Sequence, residues 1–437
     1  MFQYYFLLGL RSLRRNPALT ALMVLTLAIG VAASVSTLTI LHVMSGNPMP
    51  DKSERLFVPL VDNGSLEGYT AGDPPDDRLL SYRDSVNFTS SKVGEQRTAM
   101  FGLAGPVEPP KKEIGVFTAM GLASTSSFFS MFDAPFRYGQ AWTERDDQRA
   151  ADVIVLSRGL AEKLFGAANP VGRRMTIFGS QFQITGVLDT WQVVPRAAHV
   201  IGATGPFGPE DEFYVPFASA VRHQLSPNGS MSCAQSVDPG YQAVLDSECT
   251  WIQVWFEMRS AADRDELQSY LDSYANDQRR MGRLKRNAPN KLYSMMEWLD
   301  YLKVVGNDSH LQAWLAFGFL LLCLVNTVGL LLAKFSVRAA EVGIRRALGA
   351  SRKEIFRQFL IETTVIGLAG GILGLLLAFG ALALIGMQSA TLHVVTHMDL
   401  GMLALTFTLS VLAALLAGLL PTWRACQVTP ALQLKSQ

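Results

Sequence analysis

No segment of the 437-residue sequence can cradle a nucleotide: the pattern GxxxxGK[ST] is missing, and with it the glycine-rich loop that wraps phosphates. There is no GxSxG elbow and no HExxH helix either, so the common serine-nucleophile and zinc-hydrolase arrangements are excluded. Charge is scarce, at 17% Asp, Glu, Lys and Arg, against about a quarter in soluble domains. The net charge is +1, and no nucleic-acid partner is expected. His393 and His397 stand four apart in HVVTH, but two ligands fall short of a metal site, and the segment reads as an interfacial polar turn. No catalytic residue, no metal site and no cofactor of the chain's own is expected.

What the sequence does hold is apolar and unevenly spread. Four runs, Ala18–Met44, Leu311–Ala333, Thr363–Met387 and Leu400–Pro421, each reach the roughly 20 residues that cross a bilayer. They predict transmembrane helices over 18–44, 308–335, 359–387 and 400–422. No chain of charged residues runs through them, which argues against an ion-coupled carrier, and Asn326 in the second run reads as interhelical hydrogen-bonding glue. The first run is too long for a cleavable signal and reads as a signal anchor.

The placement of charge orients the spans. Arg11, Arg14 and Arg15 precede the first. Lys334, Arg338, Arg345, Arg346, Arg352, Lys353 and Arg357 separate the second and third, and Arg424 and Lys435 follow the fourth. The link 388–399 has no Lys or Arg. The positive-inside rule then puts both termini and the second link in the cytoplasm, with residues 45–307 and the link 388–399 outside. Residues 1–17 space Phe2, Phe6, Leu10 and Leu13 as on one helical face, which suggests an amphipathic helix on the inner membrane surface, or a plain extension of the first span. The tail is 423–437.

The four cysteines fit this topology. Cys233 and Cys249 share the oxidising side, whereas Cys323 lies within a span and Cys426 on the cytoplasmic side. A Cys233–Cys249 disulfide is expected, and closing a loop of that size stabilises by about 3 kcal/mol; the alternative is two free thiols.

The outer region, 45–307, reads as α+β. DVIVLS predicts a strand, and SRGLAEKLFG a helix capped by Ser157 and ended by Gly166. RRMTIFGSQFQITGVLD predicts a hairpin turning at Gly179-Ser180, and FYVPF a short strand. WIQVWFEMR alternates as a strand does. The helix after it opens on a capping-box pair, Ser260 and Asp263, and carries Leu267, Tyr270, Leu271 and Tyr274 in one stripe.

The cytoplasmic segment 336–358 is more specific than orientation requires. EVGIRRALG continues the second span as a helix with Ile344 and Leu348 on one face. Gly349 stops it, since glycine accepts a left-handed backbone at little cost. Ser351 and Glu354 then form a capping box that starts a new helix. The outcome is a stiff helical elbow with an apolar and basic knuckle. In the third span Gly367 with Gly371, and Gly370 with Gly374, make two overlapping GxxxG patterns that allow close packing, within the chain or across a dimer.

EVGIRRALGASRKEIFRQFLIE resembles the signature of the FtsX/MacB permease superfamily, the membrane subunits of mechanotransmission ABC transporters. LFGAANPVGRRMTIFGSQFQITGVL is similar to the MacB-type extracytoplasmic domain, and LGLRSLRRNPALTALMVLTLAIGVA also fits. The segment around Cys233 and Cys249 stands outside the shared pattern. The resemblance implies a membrane α-helical fold with four transmembrane helices and a large α+β extracytoplasmic domain between helices one and two. It implies a multi-pass protein of the bacterial inner membrane, in contact with lipid, that is not itself an enzyme. A separate cytoplasmic ATPase dimer would bind ATP and Mg and dock on the elbow. Glu341, Arg345 and Arg346 would make the polar contacts and Ile344 and Leu348 the apolar plug, within the matched stretch that also holds Gly343 and Gly349. A second permease subunit, the same or different, is implied, and a periplasmic adaptor and outer-membrane channel accompany the MacB-like systems. The implied function is export of drugs or peptides from the periplasm. The alternatives within the superfamily are FtsX-like signalling, by hydrolase activation or peptide sensing, and lipoprotein extraction.

Overall fold

The computed structural model describes residues 16–388, apart from 74, 76, 77, 111, 112, 192, 203 and 204, together with residues 401, 408, 411, 412, 415, 418, 419 and 423. The amphipathic segment 1–17, apart from its last two residues, lies outside the described residues. So do the link 388–399 with His393 and His397, apart from Gln388, nearly all of the fourth span, and the tail with Cys426, apart from Trp423. In chain order the longer helices are α1 (Pro17–Ser45), α2 (Tyr82–Thr89), α3 (Arg158–Phe165), α4 (Arg264–Arg280), α5 (Asn307–Val337), α6 (Ala339–Ala347) and α7 (Arg352–Gly386). The described chain divides into two compact units, one of residues 46–304 and one of the flanking helices.

The unit of residues 46–304 is built on an eleven-stranded sheet. Its strands are β1 (Leu56–Leu60), β2 (Leu80–Ser81), β3 (Gln96–Glu108), β4 (Phe117–Ser124), β5 (Phe136–Gly139), β6 (Val153–Leu156), β7 (Arg174–Ile177), β8 (Ser180–Leu188), β9 (Phe213–Pro216), β10 (Thr250–Glu257) and β11 (Lys291–Ser294). The order is β11-β1-β10-β3-β4-β9-β6-β8-β5, with β2 beside β10. Strand β7 pairs with both β3 and β8, which closes a ring through β4, β9 and β6. Pairing is antiparallel except for β4 with β9 and β6 with β8. The hairpin β7–β8 turns at Gly179, whose φ of 71° is left-handed, as the sequence suggests. Ser157 caps α3 by accepting from the Leu160 amide, and Ser260 and Asp263 form the expected capping box before α4.

The alternation in WIQVWFEM has a different meaning from that of a half-exposed strand. Every residue of β10 is buried. Val254 and Phe256 enter one core with Phe57, Phe101, Phe88 and Leu271, and Trp255 enters a second with Val58, Met100, Phe128 and Trp298. Successive side chains point to opposite faces of a strand, and both faces are covered here. The Cys233–Cys249 disulfide is formed and sits beside a two-way backbone bridge between Ser232 and Thr250, which ties the loop to the start of β10.

In the helical unit, α1, α5 and α7 are each long and apolar enough to cross a membrane. The fourth expected span, 400–422, lies almost entirely outside the described residues. A Cβ on Gly370 would stand 2.8 Å from Leu27, and one on Gly374 2.8 Å from Val31. The Gly370–Gly374 pattern therefore lets α7 lie directly against α1 of the same chain; Gly367 and Gly371 are buried too. Asn326 is exposed on α5 and meets neither α1 nor α7 among the described residues. A hydroxyl joins two of the helices instead, Ser34 Oγ donating to the Ala316 carbonyl at 3.1 Å across α1 and α5.

Candidate functional site: the elbow between α5 and α7

The elbow starts where α5 ends. Arg338, at φ −93° and ψ 2°, leaves the helical path and serves as the last cap of α5 and the first of α6. Helix α6 runs nine residues and stops at Gly349, whose φ of 102° suits glycine alone at low cost. Ser351 restarts the chain: its Oγ accepts from the Glu354 amide at 3.3 Å, while Glu354 Oε2 accepts from the Ser351 amide at 3.0 Å. Two orphan amides at the head of α7 are satisfied by this exchange.

Helix α6 is two-faced. Val342 and Gly343 are buried, and Val342 joins a small core with Phe335 of α5 and Ile355, Phe359 and Ile366 of α7. The Phe335 and Phe359 rings lie 4.3 Å apart. Ile344 and Leu348 face away, 58% and 83% exposed. They are the two apolar side chains the sequence nominates as the plug, and the fold holds them out on a rigid support. Arg345 and Glu341 are not both free to reach a partner as simple surface charges: Arg345 Nη2 donates to Glu341 Oε1 at 2.6 Å, and its Nη1 donates to Gln358 Oε1 on α7 at 3.1 Å. Both stay part-exposed. Arg346 is half-buried.

One group at the site was not singled out from sequence. Glu362 of α7 is buried between Lys334 Nζ at 2.6 Å and Arg338 Nη1 at 3.1 Å. The signal for it exists, since Glu362 is the one charged residue in 359–387, and an ionisable group inside an apolar span calls for a partner.

The larger unit has its own buried ionic cluster. Asp84 at the start of α2 meets the Arg283 guanidinium, the Tyr274 hydroxyl and the Ser81 hydroxyl, and Arg283 also donates to Glu248 at 2.5 Å. Burial alone would push the Asp84 carboxyl up. Arg283 and the two hydroxyls outweigh it and hold the group below its ordinary value. A polar cleft of about 560 Å³ opens beside this cluster, bordered by Asn63, Val237, Asp238, Cys249 and Lys285.

Comparison with known proteins accounts for both units. Residues 20–274 match the MacB-like periplasmic core domain, and residues 313–430 match the FtsX-like permease C-terminal domain. The macrolide export ATP-binding/permease protein MacB of Bdellovibrio bacteriovorus is 25% identical over 447 residues, covering 97% of this chain and 60% of that protein. The pyoverdine export ATP-binding/permease protein PvdT of Pseudomonas aeruginosa is 24% identical over 319 residues, covering 72% of this chain and 42% of that protein. The chain thus spans between two fifths and three fifths of these relatives' length. Among solved structures, the periplasmic region of MacB from Actinobacillus actinomycetemcomitans aligns over 58% of this chain and 94% of its own, at 14% identity and a TM-score of 0.36. The chain belongs to the MacB-like/FtsX-like permease family of ABC transporters, with a MacB-like periplasmic core domain and an FtsX-like C-terminal permease domain.

Proposed function

We propose that this chain is the permease of a MacB-type exporter, carrying movement from a cytoplasmic ATPase dimer to its outer domain. The observation that carries the reading is the elbow: two apolar side chains held out on a helix whose other face is packed against α5 and α7. A loose basic loop would satisfy the positive-inside rule equally well but would absorb a push instead of passing it on. In this reading the ATPase closes on ATP and Mg and pushes the elbows of two permease subunits, and the spans tilt as levers. No substrate need pass between the spans. Both termini are cytoplasmic, the region 45–307 is periplasmic, and the fourth span runs over 400–422 in the bacterial inner membrane. Ile344 and Leu348 form the plug, with Glu341, Arg345 and Arg346 at its polar rim. The relatives' names concern export of a macrolide and of pyoverdine, which favours export of drugs or peptides, with a periplasmic adaptor and outer-membrane channel, over signalling.

The test is Arg345→Glu with Arg346→Glu in membranes containing the ATPase. We expect normal insertion of the chain and loss of ATPase binding. Full binding and full ATP-driven movement of the outer domain in that variant would sink the docking assignment.

A further inference from the structure

A lever works only if the part that is pushed cannot bend on the part that must move. The described structure contains a device that meets this need and that the docking surface does not include. Glu362 is 1% exposed and Lys334 is fully buried, with Arg338 at 12%. Lys334 and Arg338 are one turn apart at the end of α5, and Arg338 is also the first cap of α6. One carboxylate on α7 therefore grips the last turn of α5 and the origin of α6 together. Arg338 Nη1 reaches both its oxygens, at 3.1 and 3.4 Å.

A second rung lies one turn earlier on α7, where Gln358 accepts from Arg345 at 3.1 Å. Between the rungs stand the Phe335–Phe359 contact and the buried Val342 and Ile355. The apolar contacts alone allow α6 to slide or rock, because dispersion has little directionality. The two polar rungs, at the base and near the tip of α6, remove that freedom. A buried ion pair is weak evidence for stability, since desolvation offsets attraction, and its best-attested use is to fix geometry. Two cations share one carboxylate here, so neutralising Glu362 turns the junction from attractive to mutually repulsive.

We infer that Glu362 is a positioning residue that locks α5, α6 and α7 into one lever through Lys334 and Arg338, without touching any partner. The inference rests on the coupling role of the elbow, but its first test does not need the ATPase. Spin labels are placed on Leu348→Cys and Leu376→Cys, both exposed, in the full chain in lipid nanodiscs with Cys323 and Cys426 replaced by Ser. Pulsed electron resonance then reads the distance between the elbow tip and α7. The expected result is a single narrow distance, lost in Glu362→Gln and retained in Glu362→Asp, which keeps the negative charge. Should Glu362→Gln insert poorly, the triple variant Lys334→Met, Arg338→Met, Glu362→Met removes all three charges, leaves none buried alone, and is expected to insert and still lose the narrow distance. A narrow distance in both neutral variants overturns the inference.

The second test adds the ATPase. Glu362→Gln should bind it as wild type does, because Glu362 lies off the docking surface, while nucleotide-driven movement of the outer domain falls by about tenfold or more. Unimpaired movement despite a broadened distance also overturns the inference. Failure of the wild-type chain to bind any ATPase refutes the coupling reading instead, and leaves the distance measurement to decide the lock by itself.

Discussion

Replacing the exposed pair on α6 gives the sharpest test of how the elbow is used. Ile344→Gln with Leu348→Gln keeps helix propensity nearly level and changes nothing that packs inward, since both side chains face away from the core of Phe335, Val342 and Phe359. Fully burying a Leu or Ile side chain contributes about 1.5–3 kcal/mol. With 58% and 83% of the two residues open, covering both in a partner groove contributes about 2–4 kcal/mol. Losing it should weaken ATPase binding by roughly 30- to 1,000-fold. The assay is a titration of purified ATPase onto the full chain in nanodiscs, with circular dichroism and insertion as controls for folding. An affinity within about threefold of wild type would mean that the pair does not enter the interface, and the plug assignment would fall.

Three further outcomes concern the larger unit. Cys233→Ala with Cys249→Ala should lower its stability by about 3 kcal/mol, read by denaturant unfolding in detergent; an unchanged midpoint would show that the loop is held by the Ser232–Thr250 bridge alone. Asp84 titrates below its ordinary 3.8 in the folded chain, so the unfolded chain takes up its proton first. Its stabilisation is complete above that ordinary value and is lost as pH falls through the depressed folded value. Hydrogen exchange in α2 and β10 should therefore stay flat through neutral pH and rise only in that acid range. Asp84→Asn, which leaves Arg283 with Glu248 as its one remaining carboxylate in the cluster, should cost about 1–3 kcal/mol at neutral pH, and an unaltered exchange rate would refute the cluster's role.

The parts of this molecule that obey local rules were legible in its sequence. A glycine stop followed by a serine-to-glutamate capping box is written within six residues, and Gly349, Ser351 and Glu354 behave as that spacing requires. The hairpin turning at Gly179 and the cap at Ser157 are of the same kind. The disulfide followed from compartment and not from geometry. What escaped was set by distant partners. Asp84 and Arg283 meet across 199 residues, and nothing near either announces the other. The alternation of β10 was visible, but whether its second face is wet or covered depends on Phe128 and Trp298 far along the chain. Asn326 showed only that a polar group sits in an apolar run, and the rotation of α5, which decides its direction, is set by packing of Cys323 and Leu320 against Gly30. Lys334 and Arg338 looked like orientation charges until the fold set Glu362 between them.

Everything proposed for the elbow depends on its receiving a cytoplasmic ATPase. The most direct measurement is recovery of the chain from native membranes in mild detergent, with mass spectrometry of whatever accompanies it. The account predicts an ABC ATPase in the wild-type sample and its loss from the Ile344→Gln, Leu348→Gln sample. A wild-type sample that carries no ATPase would contradict it.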